Sequence, residues 1–290
     1  MIEQCAIIIL NFNEKEYLKN CLNSIKENIA YKNYKVIVVD NYSKDKSQEM
    51  IKSEFEWVDL IENKLNRGFA GGNNDGIKYA IKKYNPKYFY LLNNDTLVQK
   101  NWLVEAIKTM EKSEDNGIVG SKQLNFDKEE LKCAGWIHMF GVKYYFGDIE
   151  QSVNWVSGAG FLVKREVFDK IGLLNEIYDP AYYEETDFQK RALRAGFEII
   201  HSPKSIFLHK AGQTTKRNQK YFLEIFFRNR LIYFYKNYNL LYFLPRILGD
   251  IIKQFKKEGI EGVTKLLGLY KEGYLLANKK EKRHKKWLKT

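Results

Sequence analysis

The sequence is short of sulfur. Three cysteines, Cys5, Cys21 and Cys133, stand among 290 residues, with no C-x-x-C spacing. That argues against a disulfide framework or a cysteine zinc site and implies a reducing compartment. Long apolar runs are also missing, since no stretch approaches the ~20 residues that span a bilayer. The opening M-I-E-Q-C-A-I-I-I-L has an early acid, no basic segment and only a short apolar run. It reads as a first strand, not a signal peptide, and a cytoplasmic protein is expected. Two phosphate-binding fingerprints, G-x-G-x-x-G and G-x-x-x-x-G-K-[ST], are absent as well, so neither the ordinary dinucleotide fold nor the P-loop applies.

Charge is plentiful but unevenly placed. Lys plus Arg number 48 and Asp plus Glu 36, a net of +12. Residues 216–290 hold 19 basic and 6 acidic residues, whereas residues 1–215 hold 29 and 30. A near-neutral body with a basic appendage points to a polyanionic surface as partner, either membrane or nucleic acid. The length allows one large domain or two small ones. The shift in charge divides the chain into a body, 1–215, and a basic, aromatic helical region, 216–290.

The body alternates strand and helix patterns. Apolar runs at 6–10, 34–39, 57–61 and 88–92 read as buried strands. Helical patterns separate them, one carrying Leu18, Cys21, Leu22 and Ile25 on one face, another passing through Ile77 and Ala80. A glycine-rich loop is expected over 63–74. This order predicts a parallel sheet with right-handed crossovers. Further on, a helix is expected over 102–110, a short strand over 117–120, aromatic antiparallel hairpins over 121–150, a helix reaching 195, and two last strands at 197–200 and 205–208.

Several strand ends carry polar side chains: Asn11 and Asn13, Asp40 and Asn41, then Asn93, Asn94 and Asp95. Ligands of open α/β sheets bind at this carboxyl edge. One carboxylate beside amides suits a divalent cation that leaves positions for water or phosphate, although an Asx-type turn gives the same letters. The loop N-R-G-F-A-G-G-N-N-D-G, residues 66–76, lets a backbone approach phosphates or makes a tight turn. Glu184, Glu185 and Asp187 stand in the first turn of a helix, where the helix dipole favours acids and where a general base can be held. His209 follows an apolar strand. A lone histidine is usually structural, but with Asp95 available an imidazole ligand is credible.

In this order the segments I-I-I-L-N-F-N, V-I-V-V-D-N-Y-S-K-D, N-R-G-F-A-G-G-N-N-D-G, Y-L-L-N-N-D-T, V-S-G-A-G-F-L-V-K-R-E-V-F, Y-E-E-T-D-F and H-K-A-G resemble the family 2 glycosyltransferases, particularly the bacterial rhamnosyltransferase-like branch, over about residues 4–215. The resemblance implies an α/β protein of GT-A fold. Its central sheet would be Rossmann-like and mostly parallel, with a small antiparallel acceptor-side portion and C-terminal helices. It also implies an inverting enzyme moving a sugar from a nucleotide-diphosphate donor, dTDP- or UDP-linked and rhamnose among the candidates, to an acceptor hydroxyl in cell-surface polysaccharide or glycoconjugate assembly.

Carried over residue by residue, Asp40 binds the nucleotide base, with Asn11, Asn13, Glu14 and Asn41 lining the pocket. Asn66, Gly68 and Asn73 lie along the nucleotide and sugar. Asp95 is the last residue of the D-x-D motif and holds Mn2+ or Mg2+ with His209. Asn93 replaces the first acid of that motif, and Asn94 is its middle residue. The glutamate–aspartate pair falls on Glu184 and Glu185, so Glu185 takes the base position with a longer side chain than usual; Glu184 and Asp187 remain alternatives.

The basic tail, with helices around 247–255 and 263–276 and the ending K-K-E-K-R-H-K-K-W-L-K, suits a membrane interface and a glycan or lipid-linked acceptor. The expected location is the inner face of the cell membrane, and no nucleic acid partner is expected. Two other readings compete: a sugar-nucleotide nucleotidyltransferase, which would need a basic glycine-rich signature where Asn11 to Glu14 stand, and a non-enzymatic polyanion-binding protein.

Overall fold

The computed structural model describes residues 3–126, 131–133, 135–138, 142–145, 148–210, 219–238 and 240–278. The four apolar runs form β1 (Cys5–Asn11), β2 (Tyr34–Asp40), β3 (Val58–Glu62) and β4 (Tyr88–Asn93). They lie in the order β3-β2-β1-β4, all parallel. Helices α1 (Lys15–Asn28), α2 (Ser47–Glu54) and α3 (Gly68–Tyr84) make the crossovers. Alternate residues serve opposite faces. Cys5, Ile7, Ile9, Val36 and Tyr90 pack with Leu18, Cys21 and Leu22 of α1. Ala6, Ile8, Ile37, Val39 and Phe89 pack with Ile77 and Ala80 of α3. Both faces are dry, which is why these strands read as unbroken apolar runs.

The chain continues through β5 (Thr96–Val98), α4 (Trp102–Met110), β6 (Asn116–Leu124), β7 (Leu131–Cys133), β8 (Gly135–His138), β9 (Val142–Tyr145), β10 (Gln151–Ser152), β11 (Gly160–Lys164), α5 (Arg165–Ile171), a 3-10 turn (Glu176–Tyr178), α6 (Glu184–Arg194), β12 (Glu198–His209), α7 (Gln219–Asn237) and α8 (Leu240–Asn278). Strand β11 runs antiparallel between β4 and β6, with Leu162 opposite Tyr90 on one side and Val119 on the other. Strands β6 and β12 restore the original direction. The result is a mostly parallel sheet with an antiparallel insertion. Helix α4 covers the α1 face through Trp102 and Leu103, and α5 and α6 cover the α3 face through Phe168 and Phe188.

Several sequence expectations need correction. Residues 68–74, expected in the glycine-rich loop, are the first two turns of α3. Two glycines of this helix serve its close packing on the sheet: a Cβ on Gly72 would fall 2.3 Å from Leu10 Cδ1, and one on Gly76 2.6 Å from Ile8 Cγ2. The two last strands are one strand, β12, with a register shift between Ser202 and Ile206. Pro203, which has no N–H to give the ladder, lies in that irregularity. Strands β5 and β11 were not anticipated. The expected hairpins appear as β6–β7 and β8–β9, although residues 127–130, 134, 139–141 and 146–147 lie outside the described residues. The two tail helices are parts of α8, which breaks at Gly259, φ 63. The basic end, 279–290, is outside the described residues. No described helix is long and apolar enough to cross a membrane.

Helix α7 packs against the body. Ile232 and Tyr233 form a cluster with Tyr178 and Tyr183, and Leu231 joins Leu266 and Tyr270 of α8 on its other side. The charge boundary near residue 216 is therefore not a packing boundary.

Candidate active site

The strand ends meet at one rim because the register puts them there. Asn11 is the pairing partner of Asp40, and Leu10 that of Asn93. Asn11 Nδ2 donates to Asp40 Oδ2 (3.0 Å) and Ser43 Oγ (3.2 Å), and its Oδ1 accepts from Asn94 Nδ2 at 2.8 Å. Asp40 Oδ1 accepts from the Ser43 N–H (2.9 Å) and Gln48 Nε2 (2.6 Å). Three of the roughly four acceptor positions of that buried carboxylate are thus filled, and one is left. Asn13 Oδ1 accepts from the Lys44 N–H at 2.7 Å, while Glu14 lies buried at the start of α1. Asn11, Asn13, Asp40 and Asn94 therefore form one network, with Ser43 and Gln48 as members that the sequence reading passed over.

A second network straps the segment before α3 to the end of β2. Asn41 Nδ2 donates to Asn66 Oδ1 (2.8 Å) and the Gly68 carbonyl (3.0 Å), and its Oδ1 accepts from Asn63 Nδ2 and the Arg67 N–H. Asn73 is set differently: its Nδ2 donates to the Phe69 carbonyl of its own helix, 2.9 Å away.

Topology joins Asp95 to His209, 114 positions apart. Strand β5 pairs antiparallel with the end of β12, placing Thr96 opposite His209, and the Lys210 N–H donates to the Asp95 carbonyl at 3.1 Å. His209 Nε2 lies 3.0 Å from Asp95 Oδ1. His209 Nδ1 is buried with no hydrogen-bond partner. A carboxylate oxygen and an imidazole nitrogen suit Mn2+ or Mg2+. Adjacent vertices of an octahedron with ~2.1 Å bonds lie about 3 Å apart, so the spacing fits one cation. Among the described residues no group of three or more His, Cys, Asp or Glu could hold a metal. The remaining ligands would come from the donor or water. Asn93 supplies no charge.

The acids arrive on α6. Gln189 fixes this helix against the 153–159 segment by accepting from the Val156 N–H (2.7 Å) and donating to the Val156 carbonyl (2.9 Å). Glu185 packs on Gly158, where a Cβ would fall 2.8 Å from Glu185 Cγ. The neighbouring Ala159 carbonyl accepts from the Asn93 N–H at 2.9 Å. That chain of contacts ties Glu185 to the turn carrying Asp95. Glu185 fills the space that a side chain at position 158 would need.

Burial pushes both glutamates up. Glu184 is raised well above the ordinary carboxylate range, first by burial and then by the neighbouring Glu185 and Asp179 carboxylates, and its Oε2 is buried without a hydrogen-bond partner. Glu185 is raised by burial, against hydrogen bonds from its own backbone and Thr186 that lower it; Thr186 Oγ1 donates to Oε1 at 3.0 Å. Asp187 is not brought to this pair by its contacts. Its carboxylate accepts from Tyr178 Oη (3.1 Å), Arg191 Nε (2.8 Å) and Asn237 Nδ2 (3.2 Å).

One acid had no sequence signal. Asp179, in an ordinary-looking Asp-Pro turn, lies against the start of α3, with Oδ1 2.6 Å from where a Gly68 Cβ would be. That oxygen is buried without a hydrogen-bond partner. Burial, and then the Glu176 carboxylate, push its carboxyl up to about 7. The turn from 178 to 183 is held by α7. Asn229 Nδ2 lies 2.5, 2.9 and 3.1 Å from the carbonyl oxygens of Tyr178, Ala181 and Tyr182, and Arg228 donates to that of Asp179 at 2.5 Å.

The strand order and the rim constellation define a GT-A fold. The mannosyltransferase PcManGT from Pyrobaculum calidifontis, solved with GDP-Man and Mn2+, shares it, with a TM-score of 0.60 at 15% identity over 95% of this chain and 76% of that one. The family model for glycosyl transferase family 2 matches residues 6–172, and the chain belongs to that family. Among curated proteins it is similar to the low-salt glycan biosynthesis hexosyltransferase Agl10 of Haloferax volcanii, 27% identical over 241 residues, covering 80% of this chain and 76% of that protein. It is also similar to the dTDP-rhamnosyl transferase RfbF of Shigella flexneri, 25% identical over 211 residues, covering 71% and 68%. Against several other glycosyltransferase relatives the chain spans less than half of their length. The chain is a glycosyltransferase, and the nucleotidyltransferase and non-enzymatic readings fall away.

Proposed function

We propose that this protein transfers a sugar with inversion from a dTDP- or UDP-linked donor, rhamnose being the first to test, to an acceptor hydroxyl of a glycan or lipid-linked acceptor in cell-surface polysaccharide or glycoconjugate assembly. The observation that carries the reading is the Asp95–His209 pair, 3.0 Å apart, linked to Glu185 of α6 through the Asn93–Ala159 backbone hydrogen bond and the packing of Glu185 on Gly158. The names of similar proteins support the chemistry: PcManGT was solved with GDP-Man and Mn2+, and RfbF is a dTDP-rhamnosyl transferase.

In this reading Asp40, Asn11, Asn13, Glu14 and Asn41 hold the nucleoside, while Asn66, Gly68, Asn73, Asn93 and Asn94 border the donor. Asp95 and His209 would hold Mn2+ or Mg2+, which neutralises charge on the departing diphosphate when bound. Glu185 accepts the proton of the acceptor hydroxyl. The hydroxyl oxygen forms its bond to the anomeric carbon as the bond to the phosphate oxygen breaks, and the nucleoside diphosphate leaves. A raised carboxyl is the better base near neutral pH. Glu184, raised by burial and by the neighbouring Glu185 and Asp179, is the alternative base beside it. Association with the inner face of the cell membrane belongs to the same reading.

A panel of nucleotide sugars with and without Mn2+, read by thermal shift and then by nucleotide release, tests it. One donor should raise the melting temperature more with Mn2+ than without and be turned over once an acceptor is supplied. No stabilisation by any nucleoside diphosphate sugar would overturn the reading.

A further inference from the structure

Helix α8 carries more apolar surface than its docking uses. On the side facing α7, Ile247 and Ile251 pack around Leu231, Leu266 and Tyr270. On another side, Leu244, Leu248, Ile252 and Phe255 stand 44%, 57%, 55% and 57% exposed. Spacings of four, four and three put them in one stripe along the helix. After the break at Gly259, Ile260 is exposed too, at 76%. Among the described residues nothing covers the stripe. Lys253, Lys256 and Lys257 are exposed on the same three turns. The last twelve residues, 279–290, add seven more Lys and Arg against one acid.

We infer that this stripe lies in the surface of an anionic bilayer, with α8 parallel to the membrane plane and the lysines beside it in the headgroup layer. Charge selects this occupant. All of the chain's excess positive charge falls after residue 215, so a second copy placed on the stripe would bring two basic regions together. A nucleic acid would meet the lysines but offers nothing to four aliphatic and aromatic side chains. An anionic lipid surface answers both, since acyl chains take the stripe and headgroups the ammonium groups. Since no described helix can span a bilayer, the contact is interfacial. This deepens the membrane association proposed above by naming its surface, and it does not depend on the assignment of the catalytic residues.

The test is flotation of the full chain with vesicles of phosphatidylcholine alone or mixed with phosphatidylglycerol. Binding is expected only to the anionic vesicles and should weaken as salt rises. Leu248→Asp with Ile252→Asp should lower the vesicle partition by at least about tenfold, as expected from loss of two buried apolar side chains. The pair Leu248→Gln with Ile252→Gln guards against a folding failure and should lower it as well. Melting temperature and donor hydrolysis without lipid should stay as in the parent, which separates this surface from the catalytic assignment. Equal partition of parent and both variants, or none by the parent, would overturn the inference. So would a concentration-dependent dimer in lipid-free sedimentation that the variants dissolve, or salt-sensitive RNA binding with no vesicle binding.

Discussion

Removing one amide far from the substrate should slow this enzyme. Asn229 is wholly buried, and its Nδ2, with two hydrogens, serves the carbonyl oxygens of Tyr178, Ala181 and Tyr182. Asn229→Ala strips donors from at least two buried or part-buried carbonyls, at roughly 1–3 kcal/mol each. The expected loss of stability is about 2–5 kcal/mol. For a chain of this size that lowers the melting temperature by roughly 5–15 °C. Catalysis should suffer separately. The same turn holds Tyr182 and Tyr183 at φ 75 and 76, a conformation unfavourable by about 1–2 kcal/mol per bulky residue. Packing of Tyr182 on Phe226 and of Tyr183 on Phe226 and Tyr233, all from α7, helps hold it. Once the amide is gone the turn can relax, and Glu184 and Glu185 follow it directly. A shift approaching 1 Å costs on the order of 100-fold, so kcat should fall about 10- to 100-fold while the donor KM moves little. The assay is transferase turnover well below the variant's melting temperature, with circular dichroism confirming that the chain is folded. Asn229→Asp should be no better, because an ionised carboxylate would face three carbonyl oxygens. A folded Asn229→Ala enzyme with parental kcat would refute the reasoning.

Other outcomes follow from the same geometry. Glu185→Gln should lower transfer by about 100-fold or more, as expected for loss of a general base, while isothermal titration finds donor affinity nearly unchanged. In the parent, kcat should rise with pH through a value above the ordinary glutamate range, because burial raises this carboxyl and only its ionised form accepts a proton. His209→Ala and Asp95→Ala should each remove the difference between Mn2+ and chelator in donor thermal shifts. Asp179, raised from 3.8 to about 7, binds its proton more tightly folded than unfolded. Its stabilising contribution is therefore complete below about pH 4 and lost as pH rises through 7. Asp179→Asn should flatten that slope in urea melts at pH 4, 6 and 8, and an unchanged slope would assign it to other groups.

The parts of the fold that local chemistry dictates were legible. Strands β1, β2 and β4 are buried on both faces, so their letters alone give them away, and their polar ends mark the rim. The first-turn acids of α6 were visible for the same reason. Features dictated by distant neighbours were not. Nothing in G-F-L-V-K says that β11 enters the sheet antiparallel between β4 and β6. The glycines of α3 read as a loop because the reasons for two of them, the close approach of Gly72 to Leu10 and of Gly76 to Ile8, lie on another element. Asp179 is perturbed only because tertiary packing buries it. Asn229 is an unremarkable letter inside a helix until the turn it grips is in view. The pairing of Asp95 with His209 was anticipated through resemblance, whereas its physical cause, the short strand β5, was not.

Where α7 sits bears on how this enzyme can be trimmed. A fragment cut where the charge changes would keep every motif by which the family is matched, yet lose the amide and the aromatic shelf that brace the turn ahead of the acids. Such a fragment should look intact to a sequence comparison and bind nucleotide, but work poorly. Helix α7 thus braces the turn ahead of the acids, and a change on its body-facing side made to alter acceptor preference should also be felt at the chemistry, whereas the exposed stripe of α8 can be altered without reaching that turn.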